Sequence, residues 1–311
     1  MNGPTDSSGS GGSLQSRRIA LKRWNILREV LLNGKFNHIS NDTVSVRRFK
    51  SFGLLLTEKL PNKGEIISEG QWFIYRSDKW PEFYMHIRHL SDHVSPASLC
   101  GFNNTGNVCV WPSEEVLTYY CLQHLDMFKE ASVIELGGGM TCLAGVALGI
   151  QSNAVHVELT DGNEASVANL EMIIKRNSPR CKASLTTRVL RWGSEPLDPS
   201  LVGKFDIVLC ADCLFFGEGR SDLVKTIDEL LKPEGRAILL APKRGNSFDQ
   251  FAHLAQSMFQ VDIEQQYDDA VWGMHLKMTE KGIEHYDADI HYPWLMKLIK
   301  LPGTRESSSE R

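Results

Sequence analysis

Three consecutive glycines, Gly137, Gly138 and Gly139, follow a short apolar run and the acidic Glu135. Helix-forming residues come next, from Leu143 to Leu148. This pattern reads as a parallel strand, a tight turn free of side chains and a helix, the opening of an α/β domain that holds a nucleoside or nucleotide. A glycine triplet alone also suits an ordinary tight loop, so the residues downstream carry the argument. Asp161 ends a second apolar run, Ala154 to Thr160, and stands 24 residues beyond Gly137. A carboxylate at that strand tip accepts both hydroxyls of a ribose. A third strand, Leu185 to Leu190, leads into Trp192, an aromatic neighbour for a purine ring. A dinucleotide site requires GxGxxG, and Gly137-Gly138-Gly139-Met140-Thr141-Cys142 lacks the third glycine at the required place. No GxxxxGK[ST] phosphate loop is present. What remains is a cationic nucleoside without phosphates, S-adenosylmethionine (SAM), whose ammonium or water shell Glu135 would suit.

The elements that must position these residues follow in order. Four further runs join the three strands above: Phe205 to Ala211, Arg236 to Pro242, Phe259 to Gln265 and His291 to Ile299. Helical patterns separate most of them, near Glu164 to Ile174, Leu223 to Leu231 and Ser247 to Ser257. Unalternating apolar strands between helices mean a mostly parallel sheet covered on both faces, so the expected fold is a Rossmann-like α/β domain of seven strands. The last strand follows a long connection and suits an antiparallel place at or near the edge. Ahead of the first strand, Trp111-Pro112-Ser113-Glu114-Glu115 reads as a helix start with Ser113 as cap and two acids in the first turn. Trp111 suits either plain packing or the mouth of a cofactor cleft.

Residues 44–90 are β-like, with runs at Ser45 to Phe49, Gly53 to Thr57, Gln71 to Tyr75 and Phe83 to Arg88. They predict a small β-rich accessory region. Its N-terminal neighbour is basic: residues 17–50 hold nine Lys/Arg against two Asp/Glu, and Ala20, Trp24, Leu27 and Leu31 share one helical face. That stretch is either a solvated helix or a contact surface for an acidic partner. The resulting division is a disordered tail at 1–16, the basic helix and accessory region at 17–105, the main domain at 106–302 and a disordered tail at 303–311.

Composition limits the function classes. An apolar fraction of 42% and a charged fraction of 23% are those of a globular domain. No apolar run reaches the ~20 residues of a membrane span, and the Gly/Ser-rich start has no signal-peptide core. The seven cysteines are scattered, and Cys210-Ala211-Asp212-Cys213 has no second ligand pair. Free thiols in a reducing compartment follow, in the cytoplasm and nucleus, with no metal. Outside residues 17–50 the chain is net acidic and carries no aromatic-basic RNA motif, which argues against nucleic acid as a partner. A SAM-fold module that binds a partner without catalysis is the other class to weigh.

Five motifs in order carry a resemblance: Gly106 to Ser113, Glu135 to Gly139, Leu159 to Asn163, Leu190-Arg191-Trp192 and Phe205 to Asp212. Together they resemble the class I, seven-strand protein-lysine methyltransferases over about residues 20 to 300, and are close to the members that act on calmodulin. The resemblance implies SAM contacts at Trp111, Gly137, Gly138, Gly139, Asp161, Trp192 and Ala211. It also implies a lysine channel lined by an acidic-x-x-aromatic motif, here Asp212 and Phe215, although Asp212 also suits a purely structural carboxylate. Trimethylation of a lysine in calmodulin is the implied reaction; chaperone contacts are left unassigned. Two departures stand out. Phe215 replaces a tyrosine common among relatives, so no phenolic hydroxyl can act there, and the glycine turn is one residue longer than usual.

Overall fold

The computed structural model describes residues 51–61, 70–90, 109–193, 196–283 and 285–301. The expected tails, the basic helix, the run Ser45 to Phe49 and the start of the Gly106 to Ser113 motif lie outside the described residues.

The accessory region is an antiparallel sheet of three strands, β1 (Leu56–Lys59), β2 (Gln71–Arg76) and β3 (Tyr84–His89), in that order. One face carries Tyr75, Met85 and Ile87, which are buried in the same apolar core as helix α1 (Pro112–Gln123). The accessory region and the main domain therefore share one core. Helix α1 starts two residues earlier than the serine cap predicts. Trp111 is the N-cap, without a side-chain bond, and Pro112 takes the first helical position, where its fixed φ fits and its missing N–H costs nothing. Ser113 is consequently buried inside the first turn.

The main sheet follows β4 (Ser132–Leu136), α2 (Leu143–Gln151), β5 (His156–Asp161), α3 (Glu164–Asn177), β6 (Ser184–Val189), β7 (Phe205–Ala211), α4 (Arg220–Leu230) and β8 (Leu231–Ala241). It closes with α5 (Ser247–Ala255), β9 (Phe259–Glu264), α6 (Asp269–Thr279), the short α7 (Ala288–His291) and β10 (Trp294–Lys300). The spatial order is β6-β5-β4-β7-β8-β10-β9. Strands β4 to β8 pair in parallel, whereas β10 runs antiparallel to both β8 and β9. The closing strand is thus antiparallel and near the edge, as its long connection suggested, one place in from β9. The chain leaves β4 toward β5 and β6 and then returns to β7 on the other side. That reversal opens a crevice at the carboxyl ends of β4 and β7, the place where open α/β sheets hold ligands. One face of the sheet is covered by α1, α2, α3 and α6 and the other by α4 and α5.

One carboxylate fastens residues 51–55, which lead into the accessory sheet, to the main domain. Glu115 of α1 accepts the backbone N–H groups of Phe52 (2.8 Å), Leu54 (2.8 Å) and Leu55 (3.2 Å) and the Ser51 hydroxyl (2.9 Å). Burial raises its pKa and these donors oppose the rise. Removing a buried acceptor leaves its donors unsatisfied, so Glu115→Ala is expected to destabilise the fold by about 3 kcal/mol. For a chain of this size that lowers the Tm by roughly 6–12 °C. Thermal denaturation followed by circular dichroism checks this, and an unchanged Tm would refute the anchoring role.

Candidate active site

The glycine turn sits at the carboxyl end of β4. Gly137 and Gly139 adopt left-handed backbone with φ of 60° and 61°, a conformation that strains other residues. The turn is held against the tip of β5: Gly138 donates its N–H to the Thr160 carbonyl (3.1 Å) and Gly139 to Asp161 Oδ2 (2.9 Å). The other Asp161 oxygen accepts the Asn163 N–H at 2.9 Å. A Cβ on Gly137 would lie 2.8 Å from Cys213 Sγ and 3.0 Å from the Trp192 ring. Turn, β5 tip, Trp192 and the segment after β7 are therefore in close register.

Helix α2 begins at this turn without a cap of its own, since its N-cap, Cys142, has left-handed backbone and makes no side-chain bond. Two glutamates supply the missing acceptors. Glu114 reaches over from α1 to accept the Leu143 N–H (3.2 Å) and the Thr141 hydroxyl, and Glu135 at the end of β4 accepts the Gly145 N–H at 2.6 Å. Both face the positive end of one helix dipole. Burial pushes Glu114 up to about 7 against those hydrogen bonds. Burial and the adjacent Glu114 push Glu135 up to about 8, with the Gly145 N–H opposing. Glu135 Oε1 is buried with no hydrogen-bond partner among the described residues.

A second cluster lies after β7. Asp212, with φ of 58°, is buried, which raises its pKa, and Arg244 Nη2 at 2.7 Å opposes that rise. The same guanidinium stands 5.9 Å from the centre of the Trp111 ring and 5.5 Å from that of Phe215, within cation–π range. Arg244 comes from the loop after β8. That loop is tied to α7, where Asp289 accepts the Arg244 N–H through its carbonyl and the Gly245 N–H through Oδ2, each at 2.8 Å.

The structure thus gathers Trp111, Asp212 and Phe215 around one cation. It sets Gly137 against Trp192 and Cys213, and Gly139 against Asp161; Ala211 connects the two groups, its carbonyl 3.3 Å from Cys213 Sγ. Glu135 lies beneath the turn, fully buried, holding α2. Glu114 and Arg244 were missed from sequence. A glutamate in a first helical turn looks like routine dipole chemistry, and only the packing of α1 across α2 gives Glu114 its targets. Arg244 had one sequence signal, a basic residue directly after a strand whose carboxyl end faces the crevice.

Seven strands in this order, with a glycine turn at the switch point and an acidic tip on the next strand, define a nucleoside-binding α/β fold. A family model described as lysine methyltransferase matches residues 101–260. Calmodulin-lysine N-methyltransferase of Arabidopsis thaliana is 30% identical over 292 residues, 89% of this chain and 95% of that protein. Protein N-lysine methyltransferase METTL21A of Mus musculus is 25% identical over 153 residues, 49% of this chain and 68% of that one. Among solved structures, a methyltransferase from Pyrococcus furiosus aligns with a TM-score of 0.42 at 14% identity, covering 58% of this chain and 79% of that one. The chain belongs to the lysine methyltransferase family. It is an enzyme of SAM-dependent protein-lysine methylation.

The residues present fit that cofactor. The cradle at Gly137 has no room for a Cβ, Glu135 Oε1 is a buried polar atom with no partner among the described residues, and a cation nearby would favour the ionised forms of these carboxyl groups. The raised glutamates also carry a stability signature. Their folded pKa values exceed the unfolded ~4.3, so the folded state binds extra protons and loses stability as pH rises. In the cofactor-free protein the Tm is expected to fall between about pH 5 and pH 8. Glu135→Gln, which keeps an acceptor for Gly145 but cannot ionise, should flatten that fall. Melting curves across this range check it, and identical slopes for both proteins would contradict the assignment.

Proposed function

We propose that this enzyme trimethylates a lysine of calmodulin in the cytoplasm and nucleus. The observation that carries the substrate is the likeness to the Arabidopsis protein, which runs through 95% of that enzyme. In support of a reducing compartment, every described cysteine is free.

SAM supplies a methyl group on a sulfonium for in-line displacement by an amine. The chain's residues must hold the two reactants and deliver a neutral amine. In this reading Asp161 accepts from the ribose while bracing Gly139: a carboxylate offers about four acceptor positions, and Gly139, Asn163 and Ser166 use three. Trp192 borders the adenine, with Gly137, Gly138 and Gly139 giving the backbone close approach. Glu135 and Trp111 complete the cofactor side, and Ala211 forms the floor between the halves.

Asp212 orients the lysine. Arg244 engages Oδ2, which leaves Oδ1 to accept an N–H from the incoming amine. Deprotonating a free lysine at pH 7 costs roughly 4–5 kcal/mol. Removal from water and the nearby sulfonium both lower that cost. Water takes the proton, so no strong base is required. Phe215 and Trp111 exclude solvent and present ring faces to the methylated ammonium. Alignment by these groups supplies much of the remaining rate.

Incubation with SAM and calmodulin, followed by intact-mass spectrometry, is expected to show +14, +28 and +42 Da species converging on the last. Absence of any mass gain would overturn the substrate. Asp161→Asn should weaken SAM binding about 10- to 100-fold, as loss of a charge-assisted bond costs ~1.5–3 kcal/mol. Calorimetry within twofold of wild type would remove the ribose role. Asp212→Asn should keep SAM affinity and lose roughly 10²-fold in turnover, the scale of a misplaced reactant. A wild-type rate would make Asp212 a structural carboxylate only.

A further inference from the structure

Where the accessory sheet meets α3, the exposed surface has the wrong charge for the protein that carries it. In the β2–β3 register, Arg76 faces Tyr84, Ile74 faces His86 and Trp72 faces Arg88. Trp72 and Arg88 are buried on the side packed against α3, where Asn169 and Asn177 bond Arg88 and His86, and Arg76 is exposed at the open end. Helix α3 and the turn after it add two more cations there. Arg176 stands 4.4 Å over the Trp72 ring, while Arg180 at 3.1 Å and Arg76 at 5.3 Å share the Tyr84 ring. Arg76, Arg176 and Arg180 have no ion-pair partner among the described residues. Asp78 and Glu82 stand in the adjoining turn, but the contact there is from Arg180 Nη2 to the Glu82 carbonyl. Arg180 Nη1 and His86 Nδ1 are buried with no hydrogen-bond partner among the described residues. The chain as a whole is acidic, with a net charge of −4.

Three guanidiniums crowded on aromatic shelves repel one another. Arg176 and Arg76 both press the buried His86 further toward its neutral form. The ring contacts stabilise the fold modestly, but the uncompensated positive charge is of use chiefly at an interface, where arginine, tyrosine and tryptophan dominate binding energy. We infer that this arginine face docks an acidic surface of the protein substrate, away from the lysine that reacts.

The separation follows from the strand. Its His89 end leads to Leu90, whose N–H lies 3.3 Å from Met140 Sδ beside the glycine turn. Tyr84 is at the other end, five residues and about 17 Å away at ~3.3 Å per residue. The few residues that enter the lysine channel cannot also reach this face, so the enzyme selects an acidic partner by charge on one part and lysine presentation on another. A protein is favoured over nucleic acid because the cluster is compact and sits on a chain of net negative charge, without an extended basic groove among the described residues.

The inference rests on calmodulin being the substrate, and the experiment separates the two ideas. Arg76 and Arg176 are exposed, so Arg76→Glu/Arg176→Glu should fold normally; Arg180→Gln tests the buried donor. The expected result at ~50 mM salt is a rise of about tenfold in the KM for intact calmodulin, with kcat and SAM affinity unchanged. The wild-type KM should climb steeply with added salt and that of the double variant much less, because salt screens charge steering. Lys129→Glu/Lys277→Glu, exposed cations elsewhere, should leave KM alone. If wild type methylates calmodulin and the double variant keeps its KM within twofold, the docking face is overturned while the substrate stands. If wild type leaves calmodulin unmodified, substrate and face fall together. A variant that keeps its calmodulin KM but loses affinity for a 20-nucleotide RNA would also overturn the inference, assigning the face to nucleic acid.

Discussion

Two buried carboxylates at the amino end of one helix hold this active site in shape. Helix α2 starts on a residue with left-handed backbone and no capping side chain, so its first N–H groups must be served from elsewhere. Glu114 arrives from α1 and Glu135 from β4. Each fixes a neighbour as well as the helix: through Glu114 the first turn of α1 cannot shift without releasing Thr141, and through Glu135 strand and helix are joined on either side of the glycine turn. The turn itself is tied to β5 through Asp161. Acceptors buried this deeply have no water to fall back on, and the cost of losing them keeps the geometry narrow.

The same carboxylates set the electrostatic character of the cleft. Glu114, Glu135, Asp161 and Asp212 are all buried, and burial raises the pKa of each. A cation entering the cleft would favour the ionised forms of these groups, whereas a phosphate would oppose them, so the site is suited to a cofactor with positive charge. Asp212 differs from the other three in having a cation already beside it. Arg244 keeps it from sharing fully in the upward shift, and the two flanking rings give that cation a dry seat. Negative charge for binding and one neutralised carboxylate for positioning thus coexist a few residues apart on β7 and its neighbours.

Local chemistry made much of this readable in the sequence. A glycine triplet after an apolar strand, an aspartate at the next strand's tip and unalternating apolar runs determine turn, crevice and sheet almost without tertiary help. The boundaries were less readable where two local rules compete. Ser113 is a good cap, yet Pro112 suits the first helical position and moves the helix start to Trp111. Helix α6, with only Val271 and His275 fully buried, has too weak an apolar face to stand out in the long connection before β10. Roles that depend on distant packing were out of reach: Glu115 serving residues 51–55, Glu114 serving α2, Arg244 facing Asp212. Each is an ordinary charged residue until the fold decides what it meets.

Strand β10 has a consequence for how the protein is made. It fills the place between β8 and β9, and β9 pairs with no other strand among the described residues. Its register is secured by Lys300, buried and paired with Asp228 at the end of α4. A ribosome delivers the chain from its amino end, so β8 emerges with its outer edge bare and β9 emerges with nothing to join. Both wait for residues 294–300 before the sheet can close. The half of the molecule that carries the glycine turn can assemble early, while the other half completes only once residues 294–300 have been translated. Through that interval the open flank of β8 is a sticky edge, and the nascent enzyme stays exposed to mispairing until β10 arrives.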